Sequence, residues 1–273
     1  QKDDPGLIGK RGAIFPCIPC MECDACKVAE YVMCEDYDYL GSRSDGAYAE
    51  YVVVPEWNLI ELPENVGFEA AAMLEPMAVG VHAMRRVSPV SSDTVVICGM
   101  GTIGTLLSMF LREAGIENIL VIGNKDAQKR NAAMIGIDED AFCDIREFDH
   151  DALKIRDWVY AHTQGVGADV YFECVGSNES LSWGITILAP GGRLCTVGNP
   201  HSDMRLDRDI YWKILRDQLM LCGTWNSSYT GDRDDDWHYV LDRLKDKNMK
   251  PEALITHRFD IEELRHGFEI MRD

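Results

Sequence analysis

The stretch VVICGMGTIGTLLSMFLREAGIENILVIGNKD, residues 95–126, decides how the chain is read. It opens on an apolar run, Val95 to Cys98, and three glycines follow in G-x-G-x-x-G spacing at Gly99, Gly101 and Gly104. Thr102 to Ala114 is apolar at helical intervals, and a second apolar run covers Ile119 to Ile122. The order is strand, glycine turn, helix, strand. Glycines at these positions suit a tight turn, close approach of a pyrophosphate to the backbone, and close packing of helix on strand. The helix N-terminus then turns free N–H groups and the positive end of its dipole toward the phosphates. The stretch therefore reads as a dinucleotide-binding unit, with Gly99, Gly101, Thr102, Ile103 and Gly104 at the phosphates. The bland alternative is a glycine-rich turn with no ligand.

Downstream the alternation continues. Ala168 to Val175 predicts a strand, Asn178 to Leu188 a helix, Pro190-Gly191-Gly192 a turn, and Arg193 to Val197 another strand. A short helix over Ile210 to Arg216 precedes a last strand, Leu219 to Gly223. Strands alternating with helices imply an α/β class with a doubly wound parallel sheet of Rossmann type. Ligands of such sheets lie beyond the carboxyl ends of the strands, here Val175-Gly176, Val197-Gly198 and Gly223-Thr224. The acidic run GDRDDD, residues 231–236, lacks the spacing of a calcium loop and reads as a solvated helix start. Helices are then expected over Asp235 to Lys247 and Ile261 to Met271.

Upstream lies a different chemistry. Five of the ten cysteines fall within Cys17 to Cys34; the rest are scattered singly through apolar runs. Two metal registers fit the cluster. Cys20, Cys23, Cys26 and Cys34 give C-x2-C-x2-C-x7-C, whereas Cys17, Cys20, Cys23 and Cys26 give three equal steps. Zinc takes four thiolates in a tetrahedron, which short knuckles plus a more distant fourth ligand can close. An iron–sulfur cluster is the rival occupant. We take the first register, with zinc, and leave Cys17 as a plain thiol. Farther on, AYAEYVVV (47–54) predicts a strand ended by Pro55. Phe68 to Val87 predicts a helix interrupted at Pro76, with Glu75 in an otherwise apolar setting. A buried carboxylate there needs a cation or a hydrogen-bonding partner; an exposed one is a helix-end residue.

The 273 residues carry 27 basic and 46 acidic side chains, a net charge of −19. An acidic chain without basic clusters argues against nucleic acid and anionic membranes as partners. No apolar run approaches a membrane span. Cysteines gathered in one metal lobe, with others buried singly, fit a reducing, cytoplasmic compartment.

These pieces in this order resemble the zinc-dependent medium-chain alcohol and polyol dehydrogenases. The likeness covers nearly the whole chain. It rests on the four-cysteine lobe, GSRSDGAYAEYVVVP (41–55), LEPMAVGVHA (74–83), GMGTIG (99–104) and PGGRLCTVG (190–198). Leu40-Gly41-Ser42-Arg43, Lys213-Ile-Leu-Arg216 and Gly223-Thr-Trp225 look most like the sorbitol and galactitol-phosphate branch. The resemblance implies residues 1–88 as part of a GroES-like catalytic domain, 89–228 as the Rossmann domain, and 229–273 as a return segment. It implies a structural zinc on Cys20, Cys23, Cys26 and Cys34, and a role for Glu75 as a catalytic-zinc ligand. The family's other catalytic ligands, a cysteine and a Gly-His-Glu motif, have no counterpart here, so the chain as given is expected not to catalyse alone. A homo-oligomer, a small alcohol or polyol substrate, zinc and NAD(P) are implied partners. Threonine and butanediol dehydrogenases are alternatives within the family. A non-catalytic, zinc-lobed nucleotide-binding protein is the alternative outside it.

One departure bears on the cofactor. An acid some 20 residues beyond the glycines normally takes the ribose 2′-OH of NAD. Gly123-Asn124-Lys125 stands there instead. Lys125, with Lys129 and Arg130 on the next helix, is placed to meet a 2′-phosphate, although Asp126 opposes it. The expectation leans to NADP, and an aspartate at position 123 is expected to shift preference toward NAD.

Overall fold

The computed structural model describes residues 5–247 and 249–272. The chain divides into two compact units: residues 1–75 with 228–273, and the contiguous stretch 76–227.

The first unit is built from short elements. β1 (Gly12–Ile14), β2 (Cys17–Ile18), α1 (Asp24–Lys27), β3 (Asp38–Tyr39), β4 (Leu59–Glu61) and α2 (Phe68–Ala72) follow in order. β1 pairs antiparallel with β4, and β2 with β3. Elements this short cannot bury a continuous face, so the core is aromatic. The Phe15 ring lies 5.9 Å from Trp57, 4.9 Å from Tyr229 and 5.3 Å from Trp237, and the Tyr229 hydroxyl donates to the Trp57 carbonyl at 2.9 Å. Ring pairs in edge and tilted arrangements add to the area they bury. Buried Asn58 ties β1 to β2, its Nδ2 donating to the carbonyls of Phe15 and Cys17 at 2.7 Å each.

α3 (Leu74–Val87) opens within the first unit and continues into the second. Then come β5 (Val95–Cys98), α4 (Thr102–Glu113), β6 (Ile119–Gly123), α5 (Asp126–Met134), β7 (Phe142–Asp144) and α6 (Ala152–His162). β8 (Ala168–Glu173), α7 (Asn178–Ile187), β9 (Leu188–Thr196), α8 (Arg208–Arg216) and β10 (Met220–Gly223) complete the second unit, and α9 (Asp236–Lys245) and α10 (Leu264–Arg272) return to the first. The six strands β5 to β10 form one parallel sheet in the order β10-β9-β8-β5-β6-β7. The chain winds outward from β5 to β7, then crosses back to β8, so the order reverses between β5 and β8. All four side chains of β5 are buried, as expected of a strand covered on both faces.

Several expected elements differ. Ala47 to Val54 forms no strand. Tyr51 is 89% and Val53 93% exposed, and alternation cannot make a strand without a ladder partner, which this segment lacks among the described residues. The break before α3 falls at Met73, not Pro76. Pro76 lies in the first turn of α3, where its missing N–H has no intrahelical acceptor to lose. Pro190-Gly191-Gly192 is not a turn before a strand but a bulge inside β9: the register jumps from Ala168 opposite Leu188 to Val170 opposite Arg193. The start of α9 is not wholly solvated either. Asp235 and Asp236 are buried; Asp235 accepts from the backbone of His238, Thr230 and Gly231, and Asp236 from Ser228.

Candidate functional site

The three glycines have three separate reasons. Gly99 follows β5 at φ +96°, where a side chain is disfavoured, and a Cβ there would stand 2.8 Å from Val175 Cγ2. Gly101 caps α4 and faces open space. Gly104 sits one turn into α4, its missing Cβ 2.1 Å from the Gly99 carbonyl oxygen. The turn is thus left bare on the side from which a pyrophosphate would approach, and α4 is drawn tight against it.

From this turn a cleft of about 570 Å³ runs along the carboxyl ends of the strands. Gly99 and Gly101 border it, with Gly123, Asn124 and Lys125 beyond β6 and Val175 beyond β8. The other expected contacts do not border it. Thr102 and Ile103 form the first turn of α4. Gly176 and Gly198 press loop on loop: a Cβ on Gly176 would lie 1.9 Å from Asn199 O, and one on Gly198 2.4 Å from Gly176 N. Val197 donates its N–H to the Glu173 carbonyl, and Gly223 ends β10. Thr224 follows β10 with its buried Oγ1 unpartnered.

The cleft also uses residues that sequence reasoning missed: Gln128, Ile145, His150, Glu179 and Trp183. Of these, only Glu179 carried a local signal, the S-N-E-S run after β8. Ser177 and Ser180 cap α7 reciprocally, and Glu173, buried at the end of β8, accepts from Val175 N and Gly176 N at 2.8 Å each and from Ser180 Oγ at 2.6 Å. That carboxylate fixes the turn whose Val175 packs on Gly99.

At the outer end of the cleft, β6 ends on Gly123 and Asn124 follows, with no acid at either position, and the first acid after it is Asp126. Asn124 N donates to Gln128 Oε1 at 2.9 Å, and exposed Lys125 precedes α5. Lys129 is engaged by Glu139 at 2.6 Å, and Asp126 by Arg146 at 2.7 Å. A Cβ at position 123 would meet Gln128 Oε1 at 2.7 Å and the Phe142 ring at 2.8 Å, so the aspartate expected to be informative there must displace both side chains.

The cysteine centre is separate and complete. The sulfurs of Cys20, Cys23, Cys26 and Cys34 all lie within 4.8 Å of one another, with Cys20 and Cys26 3.9 Å apart. Four sulfurs about 2.3 Å from a central zinc stand roughly 3.8 Å apart, so the donor set fits one zinc ion. A four-iron cluster would hold them farther apart. The Cys20 and Cys23 N–H groups donate to Cys34 and Cys20 sulfur, each at 3.3 Å. The backbone N–H of Cys26 draws the Cys23 thiol down to about 6, while burial pushes Cys26 up to about 12. Cys17 lies outside the quartet, buried in β2 with its thiol pushed up to about 11 by desolvation.

Glu75 is half-buried at the second position of α3, and burial raises its carboxyl pKa. Among the described residues the cysteine quartet is the sole group of three or more mutually close metal-ligating side chains, and Glu75 belongs to no such group.

Residues 102–246 match the family model for zinc-binding dehydrogenases, and residues 6–64 that for the alcohol dehydrogenase GroES-like domain. The chain belongs to the zinc-binding dehydrogenase family. This zinc-binding dehydrogenase is 30% identical over 265 residues to L-idonate 5-dehydrogenase of Vitis vinifera, covering 94% of the chain and 69% of the relative. It is 28% identical over 254 residues to galactitol 1-phosphate 5-dehydrogenase of Escherichia coli K12, covering 93% and 71%. The crystal structure of galactitol-1-phosphate dehydrogenase from Escherichia coli superposes with a TM-score of 0.81, over 92% of this chain and 70% of that one, at 28% identity.

Proposed function

We propose that this dehydrogenase oxidises a secondary alcohol of a polyol or polyol phosphate to the ketone, with hydride passing to NADP in preference to NAD. The curated relatives named above act on an idonate and a polyol phosphate, which supports the substrate class. The observation that carries the cofactor reading is the cleft itself: bare glycines at its phosphate end, glycine instead of an acid at the end of β6, and Lys125 at the rim.

The roles of the chain's own residues follow. Gly99 and Gly101 admit the pyrophosphate, and the free N–H groups of α4 hold it. Glu173 fixes the Val175 turn against which the cofactor lies. Cys20, Cys23, Cys26 and Cys34 hold a structural zinc whose filled coordination shell leaves no position for substrate. A catalytic zinc, where present in the family, supplies Lewis-acid polarisation of the substrate oxygen. Glu75 would contribute one of its ligands. We read residues 1–88 and 229–273 as the catalytic portion and 89–228 as the cofactor portion, in a cytoplasmic protein. None of the ten cysteines is in a disulfide, and no helix among the described residues is long and apolar enough to cross a membrane. A homo-oligomer fits the apolar edge formed by Met220 and Leu221 of β10 and the exposed Tyr211, Trp212 and Leu215 of α8.

The alternative reading is a nucleotide-binding protein without turnover. Titration of zinc-loaded full-length protein with NADPH and NADH, followed by a turnover screen on polyols and polyol phosphates with both cofactors, separates the two. Nucleotide binding with turnover supports the dehydrogenase; binding without turnover on any substrate supports the second reading.

A further inference from the structure

The outer end of the cleft carries acids that the missing side chain at position 123 conceals. The Cα of Gly123, last in β6, is the register partner of Asp144, last in β7. An acid thus stands one strand over from where an NAD-type carboxylate is expected. Asp126, the first residue of α5, follows Lys125 directly. Both carboxylates converge on Arg146. Its Nε donates to Asp144 at 2.9 and 3.1 Å, and its Nη2 to Asp144 at 2.5 Å and to Asp126 at 2.7 Å. Asp144 is nearly buried and the guanidinium about half exposed, so the pairing is anchored inside and open outside. Among the described residues no hydrogen bond engages Nη1. Ile145, beside Arg146 in the chain, borders the cleft.

We propose that Arg146 sets the preference for a phosphorylated ribose, by cancelling Asp144 and Asp126 and so leaving Lys125 to dominate the local field. It acts through those carboxylates as a positioning and neutralising residue. The inference rests on the NADP reading above. Without the guanidinium, two negative charges would stand beside the 2′-phosphate; like charges this close, in a partly desolvated cleft, oppose each other strongly.

The test is a fluorescence titration of the zinc-loaded chain with NADPH and with NADH at fixed ionic strength, reading the ratio of the two affinities. Arg146→Gln should lower the NADPH-to-NADH ratio about tenfold, and Asp126→Asn should raise it severalfold. The double variant should recover most of the loss, and all three shifts should shrink at high salt. An unchanged ratio in a folded Arg146→Gln protein overturns the inference. If that variant does not fold, Asp126→Asn alone decides, since its residue is exposed and its ratio must rise. Should the unmodified chain favour NADH while Arg146→Gln still moves the ratio further toward NADH, the NADP reading fails and the role of Arg146 stands.

Discussion

A Cβ on Gly104 would stand 2.1 Å from the carbonyl oxygen of Gly99. Neither partner is the flexible end of a side chain, so the strand turn and helix α4 must separate to admit it. Gly104→Ala is expected to cost about 1–3 kcal/mol, lowering the melting temperature by roughly 3–10 °C. Gly101→Ala meets open space and should melt as the unmodified chain does, yet weaken NADPH binding at least about tenfold by blocking the pyrophosphate. Thermal unfolding and nucleotide titration on the two variants check the division; equal binding by Gly101→Ala would remove the phosphates from this turn.

The quartet predicts one zinc per chain. Cys34→Ser should lose the metal and Cys17→Ser should keep it, because Cys17 lies outside the group of sulfurs within 4.8 Å. Elemental analysis of the purified variants measures this directly. Chelation should loosen the lobe, seen as faster proteolysis between residues 17 and 40, since metal binding and folding of such a loop are one equilibrium.

Lys125→Ala should weaken NADPH severalfold and NADH little, as the ammonium meets only the extra phosphate. Asn124→Asp puts a carboxylate at the same rim without the steric clash at 123, and should reverse the order of the two affinities. Paired titrations at equal salt read both; a Lys125→Ala protein that loses both nucleotides equally would place Lys125 elsewhere in recognition.

Asp144 yields a pH signature. The Arg146 hydrogen bonds hold its carboxyl below the usual aspartate value, with burial opposing. A folded pKa lowered beneath the unfolded value, near 3.9, stabilises the protein above that value and ceases to as pH falls through the folded one. Denaturant unfolding should therefore show the unmodified chain more stable than Asp144→Asn by a constant margin above about pH 5, narrowing below about pH 4. A margin independent of pH would mean that the ion pair contributes nothing specific.

What could be read from the sequence was whatever has a local cause. The strand, turn and helix of 95–126 are written in the periodicity and glycines of one continuous stretch, and the cysteine quartet in its spacing. Ala47 to Val54 misled because alternation specifies a strand only when another strand completes its ladder. The Pro190–Gly192 bulge was hidden because glycine and proline punctuate bulges and turns alike. Arg146 carried no signal at all: its partners are Asp144, two residues before it, and Asp126, 20 residues away, brought together only when β6 and β7 align. Glu173, by contrast, was embedded in an apolar run, FECVG, and a carboxylate in such a run marks a place where the backbone supplies its partners.

The aromatic core of the first unit has a consequence for biogenesis. Trp57 and Tyr229 are 172 residues apart in the chain, and the whole of the second unit is synthesised between them. At about 5–20 residues per second, Phe15 and Trp57 wait on the order of 10–30 s for their partners to leave the ribosome. The contiguous unit 76–227 has no such delay and should be structured first. Closing a flexible loop of that length costs about 4–5 kcal/mol in chain entropy, and a folded insert removes most of it. A lesion that slows folding of the parallel sheet, far from Phe15 in sequence, should therefore appear first as nascent chains whose N-terminal aromatics stay accessible to chaperones.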